Sequence, residues 1–144
     1  MLCSGGEHRC ATSCITGPRY RAAASLSGAN LSGAQHISDL LASQLSILPE
    51  GTIIGWKKCA GDVIVRLLIP AESRRSNATG RKCRAESVRV TEVFGAHEGV
   101  SIYDSTFRYR KGETVTCHKW NENRWLECGG GIHFYLTRIE AENN

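Results

Sequence analysis

The sequence predicts a mainly β protein, a small antiparallel twisted sheet or partly open barrel covered by short helices, with a short repeat-like stub on its N-terminal side. Three observations carry that reading. From residue 52 onward, short runs rich in Val, Ile, Thr and Tyr alternate with turns bearing Gly61, Gly80, Gly95, Gly99, Gly112 and Gly129 to Gly131. Helical periodicity is confined to two short segments. Finally, 144 residues at 41% hydrophobic and 22% charged have the composition of one globular domain that buries a core of its own. The strongest apolar run, Val63 to Ile69, is interrupted by Arg66, so nothing approaches the ~18 apolar residues of a membrane span. Met1 to Gly6 offers neither the basic nor the apolar region of an export signal.

The chain divides into an N-terminal extension, 1–48, and a β-rich module, 49–144. Residues 1–21 show no period. Within 22–38, Ala stands at 24, 29 and 34 and Leu at 26 and 31, a step of five. Over about three pentads, 24–36, this resembles the pentapeptide-repeat family, whose quadrilateral β-solenoid turns a corner at each pentad. The resemblance implies a stub too short to close a self-sufficient coil, with His36 marking its decay. The alternative is a Ser/Gly-rich loop with chance periodicity. If Leu26 and Leu31 face inward, another part of the chain or another copy must cover them, and the small Ala24, Ala29 and Ala34 permit close approach. A homo-oligomer is the expectation.

Apolar residues at 40, 41, 45 and 48 behind Ser38 predict a helix over 38–48 that ends before Pro49. Strands are predicted at Thr52–Lys58, Val63–Ile69, Lys82–Val93, Ser101–Tyr109, Glu113–Lys119 and Gly131–Leu136, with a Gly61-Asp62 turn between the first two. The 82–93 segment is not cleanly amphipathic, because Arg84, Glu86, Val88 and Val90 share a face. Thr137 and Glu140 stand at capping-box spacing, predicting a last short helix over 137–142.

Several stretches resemble an uncharacterised domain of phage and bacterial proteins that commonly follows pentapeptide repeats. They are Gly55-Trp56-Lys57-Lys58-Cys59, Val65 to Glu72, Ser76 to Glu86, and Trp125 to Arg138. The resemblance covers roughly 50–142. It implies a bacteriophage or prophage gene and a shared module, and no activity is attached to it. Where relatives often carry Cys-Ala-Pro-Gly before Ile-His, this chain has Cys128-Gly129-Gly130-Gly131.

Charge placement is the most informative functional signal. Residues 66–89 hold Arg66, Arg74, Arg75, Arg81, Lys82, Arg84 and Arg89 against Glu72 and Glu86, a local +5 in a chain of net +4. Glu72 to Arg84 reads as a basic loop in which Arg74, Arg75, Ser76, Asn77, Thr79, Arg81, Lys82 and Arg84 offer guanidinium forks, hydroxyls and amides to phosphate. It lacks the Walker spacing. The bland alternative is a solvated loop whose arginines pair with Glu72 and Glu86. Three aromatic segments offer rings for stacking on bases or sugars: Trp56; Tyr103, Phe107 and Tyr109; and Trp120 with Trp125. Of these, Phe107 and Tyr109 are assigned to the core, while Trp120 to Trp125 reads as a turn flanked by tryptophans.

Seven cysteines are read as reduced thiols. Cys3, His8, Cys10 and Cys14 fit no zinc-finger spacing, and Cys117, His118, Cys128 and His133 share a site only if strands converge. Neither set is expected to hold metal, and no cofactor is predicted. Cys128 and His133 would serve nucleophilic catalysis only if the Gly-rich turn brought them together; no catalytic residue is assigned. The expectation is a non-enzymatic binding module for a phosphorylated ligand, nucleotide or nucleic acid, or for an acidic protein surface, in the host cytoplasm. A virion structural or assembly protein and a small Cys/His enzyme are the alternatives.

Overall fold

The computed structural model describes residues 29–34 and 37–144. Helix α1 (Asp39–Leu45) begins where the sequence places it, with Leu41 N donating to Ser38 Oγ at 3.2 Å. It stops three residues earlier than predicted, because a side chain from another element takes over its last backbone groups. Asn77 Nδ2 donates to Leu45 O at 2.8 Å and Asn77 Oδ1 accepts from Ile47 N at 3.1 Å. Helix α2 (Arg138–Glu142) carries the predicted capping box between Thr137 and Glu140.

Between them run nine strands, all paired antiparallel: β1 (Ile53–Lys58), β2 (Ile64–Ile69), β3 (Arg75–Asn77), β4 (Cys83–Ala85), β5 (Ser87–Phe94), β6 (Glu98–Val100), β7 (Arg108–Arg110), β8 (Thr114–Thr116) and β9 (Ile132–Phe134). The mainly β, open-sheet prediction holds, with the strands shared among three small sheets in the orders β1-β2-β5-β8, β3-β4-β9 and β6-β7. The first two are stitched together where Trp56 and Tyr135 exchange backbone hydrogen bonds of 2.8 and 2.7 Å. Gly55 permits that close approach, since a Cβ there would overlap the Phe134 ring.

Alternation decides which side of each strand is buried. Val65, Leu67 and Ile69 of β2 face Val88 and Val90 of β5 and join Cys83, Ala85, Ile132 and Phe134 of the second sheet in one core. Tyr109 belongs to that core and Phe107 packs against it, as assigned. The turn after β1 has Gly61 and Asp62 at positive φ, 70° and 59°, as the Gly-Asp pair foretold.

Three local predictions are corrected. The continuous strand expected over 82–93 breaks at Glu86, whose N–H goes to Arg74 O and whose carbonyl accepts from Cys117 N, both at 2.8 Å. Arg84 and Val88 therefore lie in different sheets, which explains the mixed face. The expected loop 72–84 is a hairpin, with Asn77 opposite Cys83 and Arg75 opposite Ala85. Over 101–109 only the last two residues, Arg108 and Tyr109, are strand, as the start of β7. Asp104 Oδ1 accepts from Thr106 N at 3.0 Å and from Thr106 Oγ1 at 2.6 Å, a side-chain turn that competes with sheet pairing. Of the pentad stub, residues 29–34 form a turn closed by Ala34 N to Leu31 O at 3.0 Å; the rest of 24–36 lies outside the described residues. Cys3, His8, Cys10 and Cys14 do too.

Candidate binding cleft

The predicted basic residues are dispersed by the hairpin that carries them. Going up β3, Arg74, Arg75, Ser76 and Asn77 line a cleft of about 380 Å3 closed on its far side by Trp120, Glu122 and Arg124. Thr79, at the hairpin end, donates to Ala29 O at 2.5 Å and lines a second cavity of about 290 Å3 beside Trp125 and Cys128. Arg81 points to α2 and pairs with Glu140 at 2.5 Å. Lys82 reaches Cys128 Sγ at 3.8 Å on another face. Arg84, only 1% exposed, points inward.

Arg84 builds the cleft's far wall. Its Nη1 donates to Asn121 O and Gly130 O, each at 2.8 Å, and its Nη2 to Asn123 O at 2.5 Å. The guanidinium lies 4.7 Å from the Trp120 ring centroid, so one planar cation fixes both the backbone and the indole of segment 117–131. Burial holds its pKa below the ordinary arginine value, with no carboxylate in ion-pair contact among the described residues. Gly130 completes the brace, since any Cβ there would overlap Lys119 O.

The cations facing the cleft differ in how they are answered. Arg74 forks onto Glu86 at 2.9 and 2.5 Å and also contacts Glu122. Those hydrogen bonds raise its pKa and lower that of Glu86. Among the described residues Arg75 is held by carbonyls, Pro49 O at 2.8 Å and Pro70 O at 3.4 Å. Arg124 likewise donates to Asn77 O at 3.1 Å and Ala42 O at 3.3 Å, and burial lowers its pKa. Carbonyls orient a guanidinium without neutralising it, so Arg75 and Arg124 keep full positive charge on opposite walls.

Three buried side-chain polar atoms have no hydrogen-bond partner among the described residues: Ser76 Oγ, Trp120 Nε1 and Arg124 Nε. All three belong to residues that line this cleft. Buried donors are nearly always paired, and one left alone costs about 1–3 kcal/mol. The sequence offers Trp120 as a surface for stacking on a base or sugar, but it does not mark Arg124 as a ligand contact. The flanking of Asn121 to Arg124 by two tryptophans is the signal available for Arg124.

The grouping of Cys117, His118, Cys128 and His133 does not assemble. His133 Nε2 donates to Gly129 O at 3.2 Å, and burial pushes the ring's pKa down to about 4, which keeps it neutral near pH 7. Cys128 Sγ instead accepts from Lys82 Nζ, and His118 stacks on Phe107 with a ring separation of 4.4 Å. Among the described residues no three His, Cys, Asp or Glu side chains are grouped to hold a metal ion, and no helix is long and apolar enough to cross a membrane.

No curated protein matches the chain, and no solved structure does. Residues 44–141, well over half the chain and including both walls of the cleft, match the model of a family of unknown function, DUF5758.

Proposed function

We propose that this chain, which belongs to the DUF5758 family of unknown function, is a non-enzymatic binding module whose cleft takes a phosphorylated ligand. The supporting observation is that two guanidiniums held by backbone carbonyls, Arg75 and Arg124, line one cleft together with Arg74. Phosphate oxygens accept from guanidinium forks and supply the negative charge that carbonyls do not. A neutral ligand would leave that charge unanswered. Of the predicted site residues along the hairpin, Arg74 and Arg75 present charge to the ligand, whereas Asn77 and Arg84 hold the two walls in place.

The test is a thermal-shift and calorimetric panel of pyrophosphate, mononucleotides, cyclic nucleotides and short single-stranded nucleic acids. At least one should bind, with affinity falling steeply as salt rises. Arg75→Ala combined with Arg124→Ala should abolish that binding while the protein stays folded. A panel without any shift, or binding that survives the double substitution, overturns the reading.

The proposal extends to context. The pentad register of Leu26 and Leu31 supports a homo-oligomer, and the resemblance to phage and prophage modules supports a role in the host cytoplasm. Light scattering on the full chain and on a chain lacking 1–37 separates these: the shorter chain should be a monomer that keeps the module, and a full chain monomeric at high micromolar concentration refutes self-association.

A further inference from the structure

Among the described residues that line the cleft, three are cations, Arg74, Arg75 and Arg124, and one is a carboxylate, Glu122. Two acids contact Arg74, and they do so differently. Glu86 takes Nε and Nη2 in a fork, from the chain just before β5 and outside the cleft lining. Glu122 belongs to the opposite wall and reaches Nη1, the arm that the fork leaves over. The Arg74–Glu122 pair therefore spans the cleft. Because the two-point contact with Glu86 fixes the guanidinium plane, Nη1 keeps its direction whatever occupies the end of it.

The Glu122 end of that pair is the one free to move. Arg84 holds the carbonyls of both its neighbours, Asn121 O at 2.8 Å and Asn123 O at 2.5 Å, so the backbone beneath Glu122 is pinned and only the side chain turns. That side chain is 74% exposed, against 30% for Glu86. An ion pair so open to water is held weakly, because each charge is well solvated without the other. Glu122 also lines a second depression of about 350 Å3, whose wall includes Lys119, Asn121 and Gly130. A rotation away from Arg74 thus has space to enter and a cation in the wall there.

We propose that Glu122 is a resident counter-ion: its carboxylate holds the place of a ligand phosphate at Arg74 Nη1 and is displaced when the phosphorylated ligand binds. The inference rests on the cleft being a phosphate site. Carboxylate and phosphate oxygens make the same kind of charge-assisted hydrogen bond to a guanidinium, so the exchange leaves Arg74 satisfied. Without the exchange, a phosphate beside Arg75 and Arg124 would share the cleft with the Glu122 carboxylate, and like charges repel. The free protein therefore holds its own site partly neutralised, and a ligand binds less tightly than the three guanidiniums by themselves would dictate.

The experiment is calorimetric titration of the full chain with pyrophosphate at fixed ionic strength, for the wild type, Glu122→Gln and Glu113→Gln. Glu113 lies between β7 and β8, outside the cleft lining, and its replacement removes the same charge. Glu122→Gln should bind about two- to fivefold more tightly, the scale of one exposed ion pair. Glu113→Gln should match the wild type, because a distant exposed charge is screened. No gain in Glu122→Gln, or an equal gain in both variants, overturns the counter-ion and leaves the phosphate cleft standing. Binding by Glu122→Gln beside a wild type too weak to measure supports both. If neither of those two proteins binds pyrophosphate or a nucleotide, the cleft reading itself fails and takes this inference with it.

Discussion

Strands β2 and β4 each run between two partners and each bury most of what they carry, but by different physics. β2 turns Val65, Leu67 and Ile69 into the core at 0% exposure and leaves Arg66 and Leu68 partly open. β4 buries every residue: Cys83 and Ala85 enter the same core, while Arg84 goes the other way into a layer of backbone carbonyls and indole. One side of the molecule is held by apolar area, which is non-directional and tolerant. The other depends on a few charge-assisted hydrogen bonds with fixed geometry, which make a sharply defined wall and fail abruptly when one member is removed. A binding cleft is better built from the second kind of region.

That contrast breaks most visibly at Phe134, which is fully buried where the two sheets meet. Phe134→Ala should lower global stability by about 4 kcal/mol, read as a shift of the urea midpoint with an unchanged slope. A loss below about 1 kcal/mol would mean that the sheets do not share one core.

Arg84→Ala comes next. It should cost about 3 kcal/mol by stranding three carbonyls, and it should redden Trp120 emission and weaken ligand binding as the wall loosens. Arg84→Lys should not rescue either readout, because an ammonium lacks the planar fork. Full rescue by lysine would show that charge alone suffices.

Acid should act on the β9 side of the comparison. The His133 pKa falls from 6.5 to about 4 on folding, so between those values the unfolded chain binds the extra proton. Its stabilising contribution is present above about pH 6.5 and is lost as pH falls through about 4, at most about 3 kcal/mol. His133→Gln should flatten that stretch of the stability curve, and an unchanged curve would refute a buried neutral imidazole.

The smallest effect is expected at Asn77, which ties α1 to β3. Asn77→Ala should cost about 1–2 kcal/mol, and hydrogen exchange should quicken in 39–47 ahead of the sheets. Uniform quickening would place Asn77 in the global core instead.

The two helix starts were legible because a cap is a local event: Ser38 and Thr137 each bond to a backbone three residues away. The β1 and β2 strands, the Gly61-Asp62 turn and the core face of 63–69 were legible for the same reason, since alternation and turn chemistry act within a few residues. The site was only half legible. Local charge density marked Arg74 to Arg84 as a basic segment, but a sequence does not show which way a hairpin turns its side chains. That depended on β4 pairing with β9 and on segment 117–131 folding over Arg84, contacts that span about 40 residues of chain.

What the sequence by itself determined is the fold class, the two capped helices and the place where positive charge accumulates, each written in short-range periodicity and composition. Tertiary structure alone decided that Glu86 divides one apparent strand between two sheets. It also decided that Arg84 is a brace while Arg75 and Arg124 face a cleft, and that Lys57 carries its ammonium group inward to His133 O. The reason is physical. The worth of a charge depends on the carbonyls, carboxylates and dielectric around it, and distant parts of the chain supply those only once it has folded.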